Sequence, residues 1–500
     1  MDFVANLATG FSVALTVTNI LYCFAGVLLG TLVGVLPGIG PVTTVAMLLP
    51  FSFTLPPESA LIMLAGIYYG AQYGGSTTAI LVNIPGEASS VVTTIDGHKM
   101  ALAGRAGPAL GIAALGSFFA GTVATILVFV AAPLLSSIAL KFGPAEYFSL
   151  MVCGLVAAIV LAHGSVIKAI GMVALGLMFG LVGTDINSGV RRFTFEMTGL
   201  ADGVEFVALS MAIYGLADIV RNLDRKEANG TVVQSKIGRV WPSLADIRHC
   251  IPAILRGTGL GSILGVLPGG GALLAAFAAY TLEKKVAKKP RHFGEGDIRG
   301  VAAPESANNA GAQTSFIPML TLGIPSNPTM AMMIGAMMIH GISPGPRVMT
   351  DRPGLFWGLI ASMWLGNLML VILNLPLVGM WVKLLRVPSR LLYPSIIIFC
   401  CIGAYVVNQN VFDLYVMAFF AIFGYVCIKL DCEPAPLILG FVLGPMMEEN
   451  LRRALLLSRG DAMVFVQEPI SLSFLIIAAG LLLVVALPAI QKTREVAMHE

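Results

Sequence analysis

Long apolar runs alternate with short polar connections from one end of the chain to the other. The uninterrupted runs predict helices over about 109–140, 145–162, 165–183, 203–221, 354–379, 392–408, 411–429 and 470–490. Each approaches or exceeds the ~20 residues that an α-helix needs to cross a bilayer. Four other apolar runs are interrupted by glycine, proline and small polar residues: 34–50 (GVLPGIGPVTTVAMLLP), 70–90 (GAQYGGSTTAILVNIPGEASS), 265–280, and 304–330 (PESANNAGAQTSFIPMLTLGIPSNPTM). The pattern predicts an all-α polytopic integral membrane protein with roughly 12 transmembrane helices plus broken or re-entrant segments. The longest polar connection, about 222–249, is too short to form a soluble domain.

The interruptions recur in the same order. GVLPGIG (34–40) is followed by NIPGEASS (83–90), and GVLPGGG (265–271) is followed by GIPSNPTM (323–330). A hydroxyl- and amide-rich run precedes each Ile-Pro pair. It comprises Gln72, Gly74, Gly75, Ser76, Thr77 and Thr78 in one case, and Asn308, Asn309, Gly311, Gln313, Thr314 and Ser315 in the other. This order predicts a duplication, with a first transmembrane repeat over 1–230 and a second over 231–500. The repeats are expected to be inverted in the membrane, so that both breaks face one site near the midplane.

Composition agrees with the pattern. The chain is 57% hydrophobic and only 11% charged, and its mean hydropathy of +0.87 is far too high for a soluble surface. The first run, Phe11 to about Val33, is too long for a signal peptide and lacks a basic lead-in. The basic residues cluster at Arg221–Arg225, Lys236–Arg248, Lys284–Arg299, Lys383–Arg390 and Lys492–Arg494. The positive-inside rule makes these candidate cytoplasmic loops and puts the C-terminus inside. It leaves the N-terminal side open, because the first Lys or Arg is Lys99. A net charge of +3 gives no reason to invoke nucleic acid. The seven cysteines and six histidines show no ligand spacing, so neither a metal site nor an organic cofactor is expected.

A broken helix inside a membrane exposes free N–H groups at one half-helix end and free carbonyls at the other. The first favours anions and the second favours cations. Irregular backbone at that depth survives only where protein or a water-filled cavity surrounds it. Pro37, Pro85, Pro268 and Pro325 are placed to end helices, and the adjoining glycines allow close backbone approach. The expected substrate- and ion-binding residues of the first repeat are Gly38, Gly40, Thr43, Thr44, Gly75, Ser76, Thr77, Thr78, Asn83, Pro85 and Gly86. Those of the second are Gly269, Gly270, Gly271, Glu305, Asn308, Asn309, Gln313, Thr314, Ser315, Pro325, Ser326 and Asn327. Against this stands close helix packing, which small residues also serve.

Glu305 is either a cation or proton carrier or a helix cap, since Pro304-Glu305 suits a first turn. It is the acid by which the second repeat differs from the first. Asp185 is expected in a loop turn paired with Arg191 and Arg192, and Asp96, His98 and Lys99 in a polar loop. Neutral oxygens around Ser76–Thr78 and Asn308–Ser315 suit Na+ as the coupling cation, whereas H+ coupling needs a titrating group such as Glu305.

These motifs, GVLPGIGPVTTVAMLLP, YYGAQYGGSTTAILVNIPGEASSVVTTIDG, GVLPGGGALLAAF, PESANNAGAQTSFIPMLTLGIPSNPTMAMMIGAMMIHGISPGP and GTDINSGVRRFTF, together resemble the large membrane subunit of the tripartite tricarboxylate transporters over roughly residues 10–450. The resemblance implies a multi-pass carrier of the bacterial inner membrane. It implies import of organic carboxylates such as citrate by symport down an ion gradient. It also implies two partners, a small four-helix membrane subunit and a periplasmic solute-binding protein. No GxxxxGK[ST] occurs, in line with transport that does not use ATP. The residues alone leave open a stand-alone carrier or a channel for another organic anion, and more distantly an intramembrane enzyme.

Overall fold

The computed structural model describes residues 3–36, 40–162, 165–185, 188–224, 240–267, 271–287, 292–384 and 389–486. Helices dominate. The sheet among the described residues is a two-stranded hairpin, Gly183–Thr184 antiparallel to Arg191–Arg192. The uninterrupted runs form helices close to their expected places, among them Ala106–Ala139, Pro144–Leu161, Val166–Gly180, Pro353–Asn374, Ser389–Asn408, Phe412–Lys429 and Pro469–Ala486. The run at 203–221 folds as one helical stretch, with a π-helical turn over Met211–Leu216.

Four described helices are both long and apolar enough to cross a membrane: Val17–Val35, Ala106–Ala139, Pro353–Asn374 and Phe412–Lys429. The helix Pro57–Val82 is longer than three of these at 26 residues, yet it falls outside the group. Its glycines, glutamine and hydroxyls lower its hydropathy. They are tolerated because every residue from Ser59 to Val82 is buried inside the protein. The helix Arg299–Thr314 is the same kind of element: it is polar in sequence and buried from Gly300 to its end.

The two buried helices are each held by a glycine seam. Gly26, Gly30 and Gly34 of Val17–Val35 lie directly on the backbone carbonyls of Met63, Ile67 and Ala71, where a Cβ would clash. Gly257, Gly261 and Gly265, at the end of the Leu244–Leu264 helix, lie likewise on the carbonyls of Ala303, Ala307 and Gly311. Small residues at four-residue intervals let two backbones approach this closely. Each seam runs into one of the GVLPG motifs.

The chain then breaks and restarts. Helix Pro41–Ser52 follows the first motif, and Gly271–Val286 follows the second. Pro37–Ile39 and Pro268–Gly270, and with them the expected site residues Gly38, Gly269 and Gly270, lie outside the described residues. The helices cross over between the halves. Pro41–Ser52 packs on Pro328–Ile339 of the second half, and Gly271–Val286 packs on Ala88–Ser90 and Val91–Leu102 of the first.

Several expectations need correction. The runs 72–78 and 308–314 lie within helices, Ser315 is the turn residue between two of them, and the longer interruptions are at Asn83–Glu87 and Gly323–Asn327. Pro304-Glu305 is not a first turn, because the helix starts at Arg299 and Pro304 sits inside it. Residues 96–99 are helical, within Val91–Leu102, and Asp96 is fully buried. Lys284 and Lys285 occupy the last turn of a helix rather than a loop, where cations face free carbonyls. Asp185 is bound by Arg452 at 3.0 Å, and Arg192 pairs with Glu448 at 2.8 Å, so the hairpin is fastened to helix Ala435–Leu457.

Candidate functional site

The two short interruptions share one backbone course. Asn83 (φ 59°, ψ 28°) and Gly323 (φ 71°, ψ 22°) end their helices in the left-handed conformation. An Ile-Pro pair follows in each. Glu87 (φ −147°, ψ 167°) and Asn327 (φ −155°, ψ 170°) then start the next helical turn as extended N-caps. Each side chain accepts a backbone N–H of the turn that it opens: Ser89 N donates to Glu87 at 3.1 Å, and Met330 N to Asn327 at 3.0 Å. Capping satisfies donors that would otherwise be costly away from water.

Around the first interruption the structure assembles a buried polar cluster from both halves. Glu305, at 0% exposure, projects from Arg299–Thr314 towards the first half. Ser76 of Pro57–Val82 donates to Glu305 Oε2 at 2.5 Å, and Thr93 of Val91–Leu102 donates to Oε1. Asn308, one turn on, donates to Glu87 Oε1 at 3.2 Å and accepts from Ser89 Oγ at 2.7 Å. Ser89 Oγ also lies against Glu87 Oε1. With its amide turned to suit the network, Gln72 donates to Glu87 Oε1 at 2.8 Å. Asn309 donates to Ser117 Oγ at 2.7 Å and to the Glu305 carbonyl at 3.1 Å. Two carboxylates are therefore buried close together, and every described hydrogen-bond partner of either is neutral.

Of the expected residues, this cluster gathers Ser76, Glu305, Asn308 and Asn309. Gly75 and Gly86 are its floor. A Cβ on Gly75 would strike Glu87 Cγ, and Gly86 presses on the Gly34 carbonyl and on Gly75 Cα. Thr78 donates to the Val35 carbonyl at 2.8 Å and so closes the end of Val17–Val35. A second, smaller group forms at the other interruption. Ser326 donates to the Ser315 carbonyl at 3.3 Å, Asn327 donates to Tyr68 OH at 3.2 Å, and Gly271 lies beside the Asn327 side chain. Pro325 is buried there, while Pro85 is partly exposed.

The remaining expected residues serve local structure. Gly40 is the N-cap of Pro41–Ser52, and its carbonyl accepts from Thr44 Oγ1 at 3.1 Å. Thr43 donates to Tyr214 O at 2.8 Å, across to the π-helical turn. Thr314 donates to Ala310 O at 3.0 Å and packs on Gly265. Asn83 is exposed. Gln313 is buried, and its Oε1 has no partner. Thr77 lines a cleft described below.

Glu87, Ser89, Thr93 and Ser117 belong to the cluster but were not expected there. A signal for Glu87 was present: in the aligned motifs IPGE and IPSN it occupies the capping position that Asn327 fills in the second. The acid is thus not confined to the second half. Asp96 has a different task. Its carboxylate accepts from Tyr280 OH at 2.9 Å and from the backbone N–H groups of Gly294, Gly296 and Asp297 at 2.8–3.0 Å. It thereby ties the loop before Arg299 to the first half. In that loop burial pushes the Asp297 carboxyl up, but the Arg299 guanidinium outweighs this and holds it below the usual carboxylate range.

Comparison with known proteins bears on what such a cluster serves. The model of the tripartite tricarboxylate transporter TctA family matches residues 20–439. An Agrobacterium vitis protein described as the uncharacterized 52.8 kDa protein in the TAR-I ttuC' 3' region is 58% identical over 495 residues, covering 99% of this chain and 98% of its own length. A second A. vitis protein, from the TAR-II ttuC' 3' region, is 59% identical over 235 residues, covering 47% of this chain and 97% of its own length. No solved structure matches.

Proposed function

We propose, on the premise that this chain belongs to the tripartite tricarboxylate transporter TctA family, that it is an ion-gradient-driven carrier importing organic carboxylates across the bacterial inner membrane. The family is one of transporters and not of enzymes, and the chain is a multi-pass membrane component of that kind. In this reading it works with a small four-helix membrane subunit and a periplasmic binding protein that delivers the solute. Residues 1–230 and 231–500 are inverted repeats with about 12 crossings between them, and the matched courses of Asn83–Glu87 and Gly323–Asn327 support that view. The crossed packing of helices between the halves supports it too.

The observation that carries the proposal is the buried Glu305 carboxylate, contributed by one half and hydrogen-bonded by hydroxyls of the other. A carboxylate in a membrane interior marks an ion pathway unless a structural partner neutralises it. Here the partners are neutral, so a cation is the missing charge. Sodium is favoured over a proton, because the surrounding groups are hard oxygens of the kind that bind a hard cation. The second interruption opens the helix Pro328–Ile339 with a neutral cap, and a helix start of that kind suits a carboxylate substrate.

Counterflow tests the carrier itself. Proteoliposomes preloaded with unlabelled citrate or a related carboxylate should accumulate the labelled solute transiently. Downhill equilibration without overshoot would point to a channel. For the ion, Glu305→Gln should require more sodium for uptake and yet remain sodium-dependent. Uphill uptake in sodium-free medium, driven by a pH gradient and abolished in Glu305→Gln, would make the proton the coupling ion. Opposite orientation of the repeats predicts that cysteines placed after Pro85 and after Pro325 are labelled from opposite sides of the membrane.

A further inference from the structure

Behind Ser76 lies a narrow cleft of about 10 Å³, room for a single water-sized body, lined by Tyr73, Ser76, Thr77, Ser117, Asn374 and apolar residues of helix Ala106–Ala139. Ser76 and Ser117 form the wall between this cleft and Glu305. Ser76 bonds the Glu305 carboxylate at 2.5 Å, and Ser117 Oγ lies 3.5 Å from the Glu305 carbonyl. Asn374 is 7% exposed, and its Oδ1 is buried without a hydrogen-bond partner. Its amide orientation is set by Nδ2, which donates to the Leu370 carbonyl at 2.9 Å. The reverse orientation would press two oxygens together.

Three of the polar side chains that line this cleft direct a proton away from it. Tyr73 OH donates to Asn367 Oδ1 at 2.9 Å, Ser76 donates to Glu305, and the Asn374 NH₂ group faces its own helix. Lone pairs are what these groups have left to offer. The Glu305 charge behind the wall disfavours an anion there. A carboxylate substrate does not fit a space of about 10 Å³, which holds one water-sized body. Leaving Asn374 Oδ1 unmatched in a membrane interior is costly. A small hard cation satisfies all of these groups together.

We infer that this cleft is the seat of the coupling cation, with Asn374 Oδ1, Tyr73 OH, Ser76 Oγ and Ser117 Oγ as oxygen ligands and Glu305 as the charge that holds it. This rests on the carrier reading given above and assigns the ion a place within it. The ion sits on the first-half side of Glu305, and the substrate carboxylate has to be held elsewhere.

The test is equilibrium binding of ²²Na+ to the purified full-length chain in lipid nanodiscs, with no carboxylate present. Asn374→Ala should weaken sodium binding roughly 10-fold or more, the effect of removing one oxygen from a charged ligand. Asn374→Asp keeps the oxygen and adds charge, so it should bind sodium at least as well as the native chain. Tyr73→Phe, which keeps the ring, should weaken binding in the same direction as Asn374→Ala. Native-like sodium affinity in both Asn374→Ala and Tyr73→Phe would overturn the assignment, as expected if only water fills the cleft. Absence of sodium binding by the native chain would overturn it too, even if counterflow still showed a carboxylate carrier. Sodium binding that follows these variants in a chain without counterflow would uphold the site while removing the carrier reading.

Discussion

The interruption at Asn83–Glu87 and the one at Gly323–Asn327 follow nearly the same backbone path and end in different chemistry. Both use a left-handed residue, an Ile-Pro pair and an extended cap. The first cap is an acid drawn into a buried network with Asn308, Gln72 and Ser89. The second is an amide that touches a tyrosine and a glycine. Glu87 supplies its own anion to the helix turn that it opens, so a second anion gains little there. Asn327 is neutral and supplies no such charge. The comparison teaches that one backbone course can carry unlike chemistry: the geometry recurs, and one side chain decides whether the cap brings a charge of its own.

The largest effect is expected where the halves are most alike. Gly30→Val and Gly261→Val each force a branched side chain against a carbonyl of the facing helix, a form of overpacking that costs about 1–3 kcal/mol or more. Both should sharply reduce the folded protein recovered from membranes, measured by size-exclusion fluorescence. Tolerance of one but not the other would break the equivalence of the two seams. Next comes Glu87→Gln, which makes the first cap resemble the second. Loss of its charge-assisted bonds should reduce uphill uptake roughly 10- to 100-fold while the protein stays folded. Uptake at the native level would show that the Glu87 charge is not needed for transport.

The reverse exchange, Asn327→Asp, places an acid at the second cap. It should raise the KM for carboxylate uptake several-fold and leave sodium affinity near its native value, since like charges repel at a helix start. A change in sodium affinity with no change in KM would mean that the assignment of the two ends is inverted. The smallest effects concern the left-handed residues. Gly323→Ala should cost about 1–2 kcal/mol for the strained φ, with a further contact against the Pro344 carbonyl. Asn83→Gly should be close to neutral, because Asn83 is exposed and glycine adopts its φ without strain. Melting curves of the two variants check this order.

Much of the fold could be read from hydropathy, and the reason is physical. Helices such as Ala106–Ala139 and Pro353–Asn374 are long and apolar enough to cross a membrane and show it in their composition. The site helices were misread as broken because they face only protein, where Gln72, Ser76, Asn308 and Asn309 find partners that the local sequence does not reveal. Glu305 was noticed because an acid in an apolar run is rare. Of its two open readings, carrier or cap, the cap falls away, since Pro304 looks like a helix start only until the turn before it proves helical. Glu87 does not stand out in the sequence, because IPGEASS reads as a turn and its burial depends on Asn308, more than 200 positions away. Asn374 left no mark, because a single amide near a helix end has meaning only when its neighbours' protons have been traced.

The polarity of the Pro57–Val82 helix bears on how the chain enters the membrane at all. A segment with that run of glycine, glutamine and hydroxyl side chains is a poor candidate for release into lipid by itself. Val17–Val35 is apolar enough to be released alone, emerges earlier, and presents the glycine face onto which the later helix fits. Insertion of the two as a pair, the first shielding the second, is the expected consequence. A substitution in the Gly26–Gly30–Gly34 seam would then be felt during synthesis, as a helix that never finds its way into the bilayer.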